Sequence, residues 1–311
     1  MTVANGSQVR LADVSEATIN TIPTSPVLQV MRYVSADIRL VKQTDIPDEI
    51  RGDRNVASIV DVGRMVQGSI NTLLSYGTFD TWFERLLCAA WSTNVLKNGV
   101  VDKAGTLEFT FEQGTTDSYI RYTGTRINTL DLQLSARQSV SASWGMMGIT
   151  SPTPTTAILS GATYTAATTS EVFNAGLNLG SLTMTSTTMS STPKIRSLSL
   201  SIRNNISPVD VVGQYAPYSH ILGRFEVTGT AEIMFESLAA YSAILGHEDT
   251  ALSFTLTDAA AKAYAFSIPK LKMLDGSPVV GGNSQAVTMS VPFQGFYDSS
   301  STATLTITRT P

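Results

Sequence analysis

Between Val62 and Leu74 the chain places Val62, Val66, Ile70 and Leu74 on one face and Met65, Gln67, Ser69, Asn71 and Leu73 on the other. That is close to the two-residue period of a strand with one buried side. The stretch from Arg224 to Glu236 alternates more cleanly, with Phe225, Val227, Ala231, Ile233 and Phe235 opposed to Arg224, Glu226, Thr228, Thr230, Glu232 and Glu236. After each strand the period changes. Phe79, Trp82, Phe83, Leu86, Leu87 and Ala90 recur at helical spacing, as do Leu238, Tyr241, Ile244 and Leu245, so one short amphipathic helix follows each strand. Strict alternation returns in Leu107, Phe109 and Phe111 against Glu108, Thr110 and Glu112, and in Leu252, Phe254 and Leu256 against Ser253, Thr255 and Thr257. It returns again in Val140, Ala142 and Trp144 against Ser139, Ser141 and Ser143, and in Val287, Met289 and Val291 against Ala286, Thr288 and Ser290. The expected fold is mainly β, with a helix covering one face of the sheet it interrupts.

The blocks recur in one order, which is the signature of an internal duplication. VSADIRLVKQ (34–43) is echoed by SLSLSIRNNI (197–206), with Ile38-Arg39 matched to Ile202-Arg203. TLEFTFEQ (106–113) matches ALSFTLTD (251–258), and SYIRY (118–122) falls where AYAFS (263–267) falls. Gln138, Val140, Ser143 and Gly148 recur at identical spacing as Gln285, Val287, Ser290 and Gly295. The expected organisation is an N-terminal arm (1–29), a first repeat (30–150), a Ser/Thr-rich connection with short strands (151–193), a second repeat (194–297) and a C-terminal strand (298–311).

Composition narrows the function. The formal net charge is −4, which argues against a protein that grips phosphate backbones with clustered Lys and Arg. The first residues lack the apolar core of a signal peptide, and the longest apolar run, Leu86 to Trp91, is too short to span a bilayer. Neither export nor membrane insertion is expected. The single cysteine, Cys88, excludes an internal disulfide framework and a Cys-rich zinc site.

Catalytic signals are sparse. His220 and His247 lie in turn-like contexts without a second imidazole or thiolate at metal spacing, and no nucleophile elbow or Gly-rich phosphate loop is present. Glu108 and Glu112 could suggest a glycosidase pair, but on one strand face they stand roughly 13 Å apart, beyond either glycosidase geometry. No enzyme activity, metal or cofactor is expected. A duplicated β-sandwich that binds or decorates a virion surface stays open, because its site would lie in loops that leave no motif.

The chain resembles the tail tube proteins of long, non-contractile-tailed bacteriophages. The likeness lies in DIPDEIRGDRN (45–55), a strand with Val62-Gly63-Arg64 and Gly68, LSYGTFDTWFERLLCAAW (74–91), the Lys97-Asn98-Gly99 turn, Phe109 to Glu112, and Tyr122-Thr123-Gly124. The second repeat supplies Gly223-Arg224, Val227-Thr228-Gly229 and Tyr264 to Pro269, but has VDVVGQYAPYSHIL (209–222) in place of the charged loop.

The resemblance implies a duplicated tail-tube fold: a β-sandwich or barrel-like unit with one amphipathic helix per repeat, whose inner sheets join neighbours into a closed pseudo-sixfold ring. A duplicated chain would then need three copies, a homotrimer ring, and rings would stack into a tube. It also implies a place in the virion tail after assembly in the host cytoplasm, with tape-measure, tail terminator and distal tail proteins as partners. Double-stranded DNA would pass through without specific binding. With four lining strands per unit, about 24 strands at roughly 4.8 Å give a circumference on the order of 115 Å and a bore of roughly 40 Å, wide enough for a duplex. Because each phosphate neutralised by a cation strengthens binding, a conduit favours carboxylates and hydroxyls. Glu108, Glu112, Ser139, Ser141, Ser143, Glu226, Glu232 and Glu236 are therefore expected to face the bore. Asp45, Asp48, Glu49, Arg51, Asp53 and Arg54 are expected to form a mixed-charge loop reaching the next ring.

Overall fold

In the computed structural model, residues 3–311 are described. The first half contains β1 (Val9–Glu16), β2 (Val27–Met31), β3 (Ser35–Asp45), β4 (Val60–Leu73), helix α1 (Asp80–Leu87), β5 (Val95–Lys97), β6 (Ala104–Glu112), β7 (Asp117–Ser135) and β8 (Ser141–Gly148). It continues with β9 (Thr163–Thr165), β10 (Leu179–Thr185), β11 (Ile195–Arg203), β12 (Ser207–Val209), β13 (Ser219–Ile221), β14 (Glu226–Met234) and helix α2 (Ala239–Leu245). The last strands are β15 (Asp249–Thr257), β16 (Ala263–Met273), β17 (Pro278–Val279), β18 (Thr288–Gly295) and β19 (Thr306–Thr310). The protein is mainly β, as its alternating pattern predicts.

The principal wall is antiparallel throughout. β3 pairs with β4, β4 with β8, β8 with β7, and the C-terminal half of β7 with β11. From there β11 pairs with β14, β14 with β18, and β18 with the end of β16 and with β17. The wall is open, not a closed barrel, with β3 at one edge and the β16–β17 segment at the other. The strand order β3-β4-β8-β7 is repeated as β11-β14-β18-β16. Behind the wall a second layer repeats too, since β1 lies on β6 and β6 on β7, while β10 lies on β15 and β15 on β16. Even an irregularity recurs: β6–β7 slips between Gly105 and Leu107, and β15–β16 between Thr250 and Leu252.

The pairing corrects two residue matches. Val66 lies opposite Gly148 and Val227 opposite Gly295, and their partners on the other side are Leu40 and Ile202. Leu40, and not Ile38, therefore occupies the place of Ile202. A two-residue strand period makes any even shift look equally good in sequence, so only the ladder fixes the choice. Likewise Ser118 corresponds to Tyr264 rather than Ala263, because Ile120 faces Phe109 as Phe266 faces Phe254.

The helices differ more than their spacing predicts. α1 buries Trp82, Phe83, Leu86 and Leu87 and stops where Cys88 turns left-handed at φ 48, leaving Ala90 outside the helix and exposed. α2 buries Ala240 and Ala243, whereas Leu238 and Leu245 are 67% and 69% exposed. The stripe expected on α2 is thus split, with Leu238 and Leu245 in solvent and Tyr241 and Ile244 partly buried against the core.

The segments flanking the repeated strands are structured. β1 is tied to α1 by Arg85, which forms a two-point ion pair with Asp13 at 2.7 and 2.8 Å, both side chains 2% exposed. Gly105 leaves room for that guanidinium: a Cβ there would fall 2.1 Å from an Arg85 nitrogen. The Ser/Thr-rich connection carries β9, parallel to β2, and β10, so residues 179–185 stand on β15 as the N-terminal strand stands on β6. β19 fills the space between β16 and β5.

Candidate functional site

The wall has one dry and one wet face. Along β8, Ala142, Trp144 and Met146 are buried while Ser141 and Ser143 point to the wet side; along β14, Val227, Ala231 and Ile233 are buried while Glu226, Thr228, Thr230 and Glu232 do the same. Ser143 stands between Asn71 and Asp131, and Glu232 between Ser197 and Ser290. Ser139 and Glu236 are exposed just outside the ends of β8 and β14.

Two of the carboxylates expected on this surface are elsewhere. Glu108 is 0% exposed, ion-paired with Arg121 at 2.6 Å and accepting a hydrogen bond from the Tyr164 hydroxyl at 2.5 Å. It cannot face an open bore, because β6 belongs to the rear layer and Glu108 is closed over by Arg121 and by Tyr164 of the connection. Glu112 ends the same rear strand, opposite Asp117. Arg121 stands directly across from Glu108 on the adjacent strand, and the two side chains, 6% and 0% exposed, form a buried ion pair.

The wet face is also less one-sided than its carboxylates suggested. β3 and β11 add Arg39, Arg196 and Arg203, each held locally: Arg39 by Asp37 at 3.3 Å, Arg196 by Glu232 at 3.2 Å, and Arg203 by the Ser201 hydroxyl at 3.2 Å. Arg224 binds Glu226, and its hydrogen bonds hold that carboxyl below the usual range. The surface therefore presents hydroxyls and amides, with Arg39, Arg196 and Arg224 paired to carboxylates and Arg203 held by a hydroxyl alone. Asp131, Gln133, Ser197, Ser199 and Ser201 also belong to it, on β7 and β11, beyond the residues that the sequence pattern picks out.

Where the two strand sets meet, the chain contains a complete joint. Ser197–Arg203 of β11 pairs with Thr129–Ser135 of β7, and on the dry side Leu130, Leu132 and Leu134 meet Leu198, Leu200 and Ile202, none above 4% exposed. Behind them α1 reaches across. The Phe83 ring lies 5.5 Å from Tyr264 and 6.0 Å from Phe266, and Tyr76 stacks on Tyr264 at 5.0 Å. The Tyr264 hydroxyl donates to Asp80 and accepts from the Gly77 N–H, and burial beside that carboxylate pushes its pKa up. Asn204 donates to the carbonyls of Leu86 and Ile127 at 2.7 and 2.9 Å.

One end of the joint is closed by Arg126, which binds Asp102 at 2.7 and 2.8 Å and His220 Nδ1 at 3.0 Å. Arg can only donate, so Nδ1 accepts and the proton sits on Nε2, which has no partner. Burial and the adjacent guanidinium lower the His220 pKa to about 4.

At that same end two strand connections project. The β3–β4 connection holds Asp45, Asp48, Glu49, Arg51, Asp53 and Arg54, all exposed; Arg51 grips Asp53 at 3.1 and 3.0 Å and holds its carboxyl down at about 2. It also exposes Ile46, Ile50, Val56 and Ile59. The β11–β14 connection carries the β12–β13 hairpin, exposes Val212, Tyr215 and Tyr218, and is tied to the wall by the Arg64 N–H donating to the Tyr215 carbonyl at 2.6 Å. The apolar residues in both connections escaped a reading based on charge.

An open wall with a wet face, an internal joint and two free edges is the geometry of an assembling subunit. The profile of a family described as phage tail tube protein matches residues 6–295. The chain belongs to the phage tail tube protein family. No curated protein matches it. As a tail tube protein it is a structural component of the virion tail that assembles into a tube with other tail proteins. No described helix of this tail tube protein is long and apolar enough to cross a membrane.

Proposed function

We propose that this tail tube protein is one tube unit written twice, that three copies close into a pseudo-sixfold ring, and that stacked rings conduct double-stranded DNA to the host. The observation that carries this reading is the β7–β11 joint, because the two free edges have the parts to repeat it. β3 occupies the place of β11, as Leu40 matches Ile202. The β16–β17 segment occupies the place of the end of β7: Met273 and Val279 oppose Phe293 and Thr288 as Ile127 and Gln133 oppose Met146 and Ser141. In the chain Ser199 faces Gln133, so between chains Asp37 faces Val279. Such a heterologous contact closes into a ring when its rotation allows, and closure removes exposed sheet edges.

The wet face then lines the bore, with Ser141, Ser143, Glu226 and Glu232 among its side chains and Ser139 and Glu236 at its rim. Arg39, Arg196 and Arg224 there already pair with carboxylates, which weakens their claim on passing phosphates. The two projecting connections, with Asp45 to Arg54 on one and Val212 to Tyr218 on the other, are placed to touch the next ring. Tape-measure, terminator and distal tail proteins would meet the tube inside and at its ends. Negative-stain images of the purified protein test the reading: rings or tubes with three chains per turn are expected, and dispersed monomers at high concentration would contradict it.

A further inference from the structure

Helix α2 lies at the free β16–β17 edge. A Cβ on Gly276, in that edge, would fall 2.9 Å from Ile244 Cδ1. Its outer side presents Leu238 and Leu245, 67% and 69% exposed, with Tyr241 only partly covered. The corresponding helix α1 has no such surface, because its Phe79, Trp82, Phe83 and Leu86 are all at 0% exposure and Phe83 lies against Tyr264 and Phe266 of the second strand set.

At the opposite edge of the molecule a groove of about 380 Å³ opens between β3 and the rear layer, lined by Ala36, Ile38, Phe109, Phe111 and Tyr122, with Tyr33 at its lip. The residues in the same places on the second set are Leu198, Leu200, Phe254, Leu256 and Ile268, by the pairings that place Leu40 with Ile202 and Phe109 with Phe254. All five are at most 1% exposed, with Leu198 and Leu200 lying against Leu134 and Leu132 of the first set, whereas Ile38, Phe109 and Tyr122 in the groove keep 7%, 7% and 8%. The groove is therefore the vacant counterpart of a surface that the chain fills once internally.

We infer that α2 of one copy docks its Leu238–Tyr241–Leu245 face into the β3-side groove of the next copy, clamping the rear of each inter-chain joint. This rests on the ring reading, and it adds a second contact, separate from the strand pairing of the wall. The partner is a second copy of this chain because α1 already stands in such a relation to the second set, with Phe83 on Phe266 and Phe266 stacked at 4.9 Å on Phe254, the counterpart of Phe109 in the groove. Apolar burial of this kind is non-directional, and its loss is read as a loss of assembly rather than of folding.

Two full-length variants test it. Leu238→Asp with Leu245→Asp spoils the helix face, and Ala36→Arg obstructs the groove without removing a core side chain. Each is expected to keep the wild-type melting transition and to lower the ring population roughly tenfold or more at a fixed concentration, read by light scattering and negative stain. Mixed one to one, they retain one sound joint between them and are expected to form dimers that cannot close. Rings from either variant at the wild-type concentration, with wild-type rings intact, would overturn the docking and leave the ring reading standing. A mixture that stays monomeric would also overturn it. A wild-type chain that never forms rings would overturn both.

Discussion

Helices α1 and α2 follow corresponding strands and begin from similar patterns, yet one is sealed and the other bare. α1 packs Phe79, Trp82 and Phe83 on Trp144 of the wall and Phe83 also on Tyr264 and Phe266 of the second strand set, and these three residues with Leu86 reach 0% exposure. α2 has a wall beneath it but nothing beyond, and Leu238 and Leu245 stay in solvent. The same contrast runs along the strands. Arg126, at the joint, has a side chain 1% exposed and binds Asp102, whereas Lys272, its counterpart at the free edge, is 26% exposed and binds Asp249. Leu134 at the joint is 4% exposed, and Val280, in its place at the edge, is 78% exposed. Burial here is decided by whether a neighbouring strand set exists, and only one of the two positions finds its neighbour within the chain.

The largest expected effect comes from the tie between β1 and α1. Arg85→Met leaves Asp13 buried without a partner, and a loss of about 3–5 kcal/mol is expected in a denaturant titration. Asp13→Leu together with Arg85→Met removes both charges and makes this contact apolar; it is expected to recover stability to within about 1 kcal/mol of the native chain or to exceed it. A single variant no worse than the double would break the account of α1.

A smaller effect tests the joint's end. His220 is held neutral, with its folded pKa lowered to about 4. Below the unfolded value of about 6.5 the unfolded chain binds the additional proton, so the stabilisation is present above pH 6.5 and is lost as pH falls toward 4. A loss on the order of 2 kcal/mol across that window is expected, and His220→Asn should remove this component from a pH series of melting curves. An unchanged slope in the variant would show that His220 does not carry the dependence.

The mainly-β class and one helix after each of the two strands at 60–73 and 226–234 were legible because a two-residue period giving way to a 3.6-residue one is written in few residues. Ser141, Ser143, Glu226 and Glu232 were legible as wet-face residues for the same reason. Glu108 departs from the expectation because alternation tells which residues share a face but not what lies against it; Tyr164 and Arg121 turn this polar face into a buried one. The exact match of β3 to β11 was hidden by the even-shift ambiguity of strands. The exposure of Leu238 and Leu245 on α2 was hidden because its spacing is the same whether the apolar stripe meets its own sheet or another chain.

Cysteine cross-linking tests the central claim most directly, that the free edges repeat the internal joint. Cys88 is buried and its thiol is pushed up to about 11, so it gives no competing reaction. Asp37→Cys with Val279→Cys places two thiols directly opposite each other between chains, with Cβ atoms about 5 Å apart, within reach of a disulfide after small adjustment. Val41→Cys with Val279→Cys sits four residues out of step, about 13 Å away. On oxidation the first pair is expected to give covalent dimers and trimers and nothing larger, and the second to stay uncross-linked. Equal cross-linking of both pairs, or a ladder running beyond the trimer, would contradict the account.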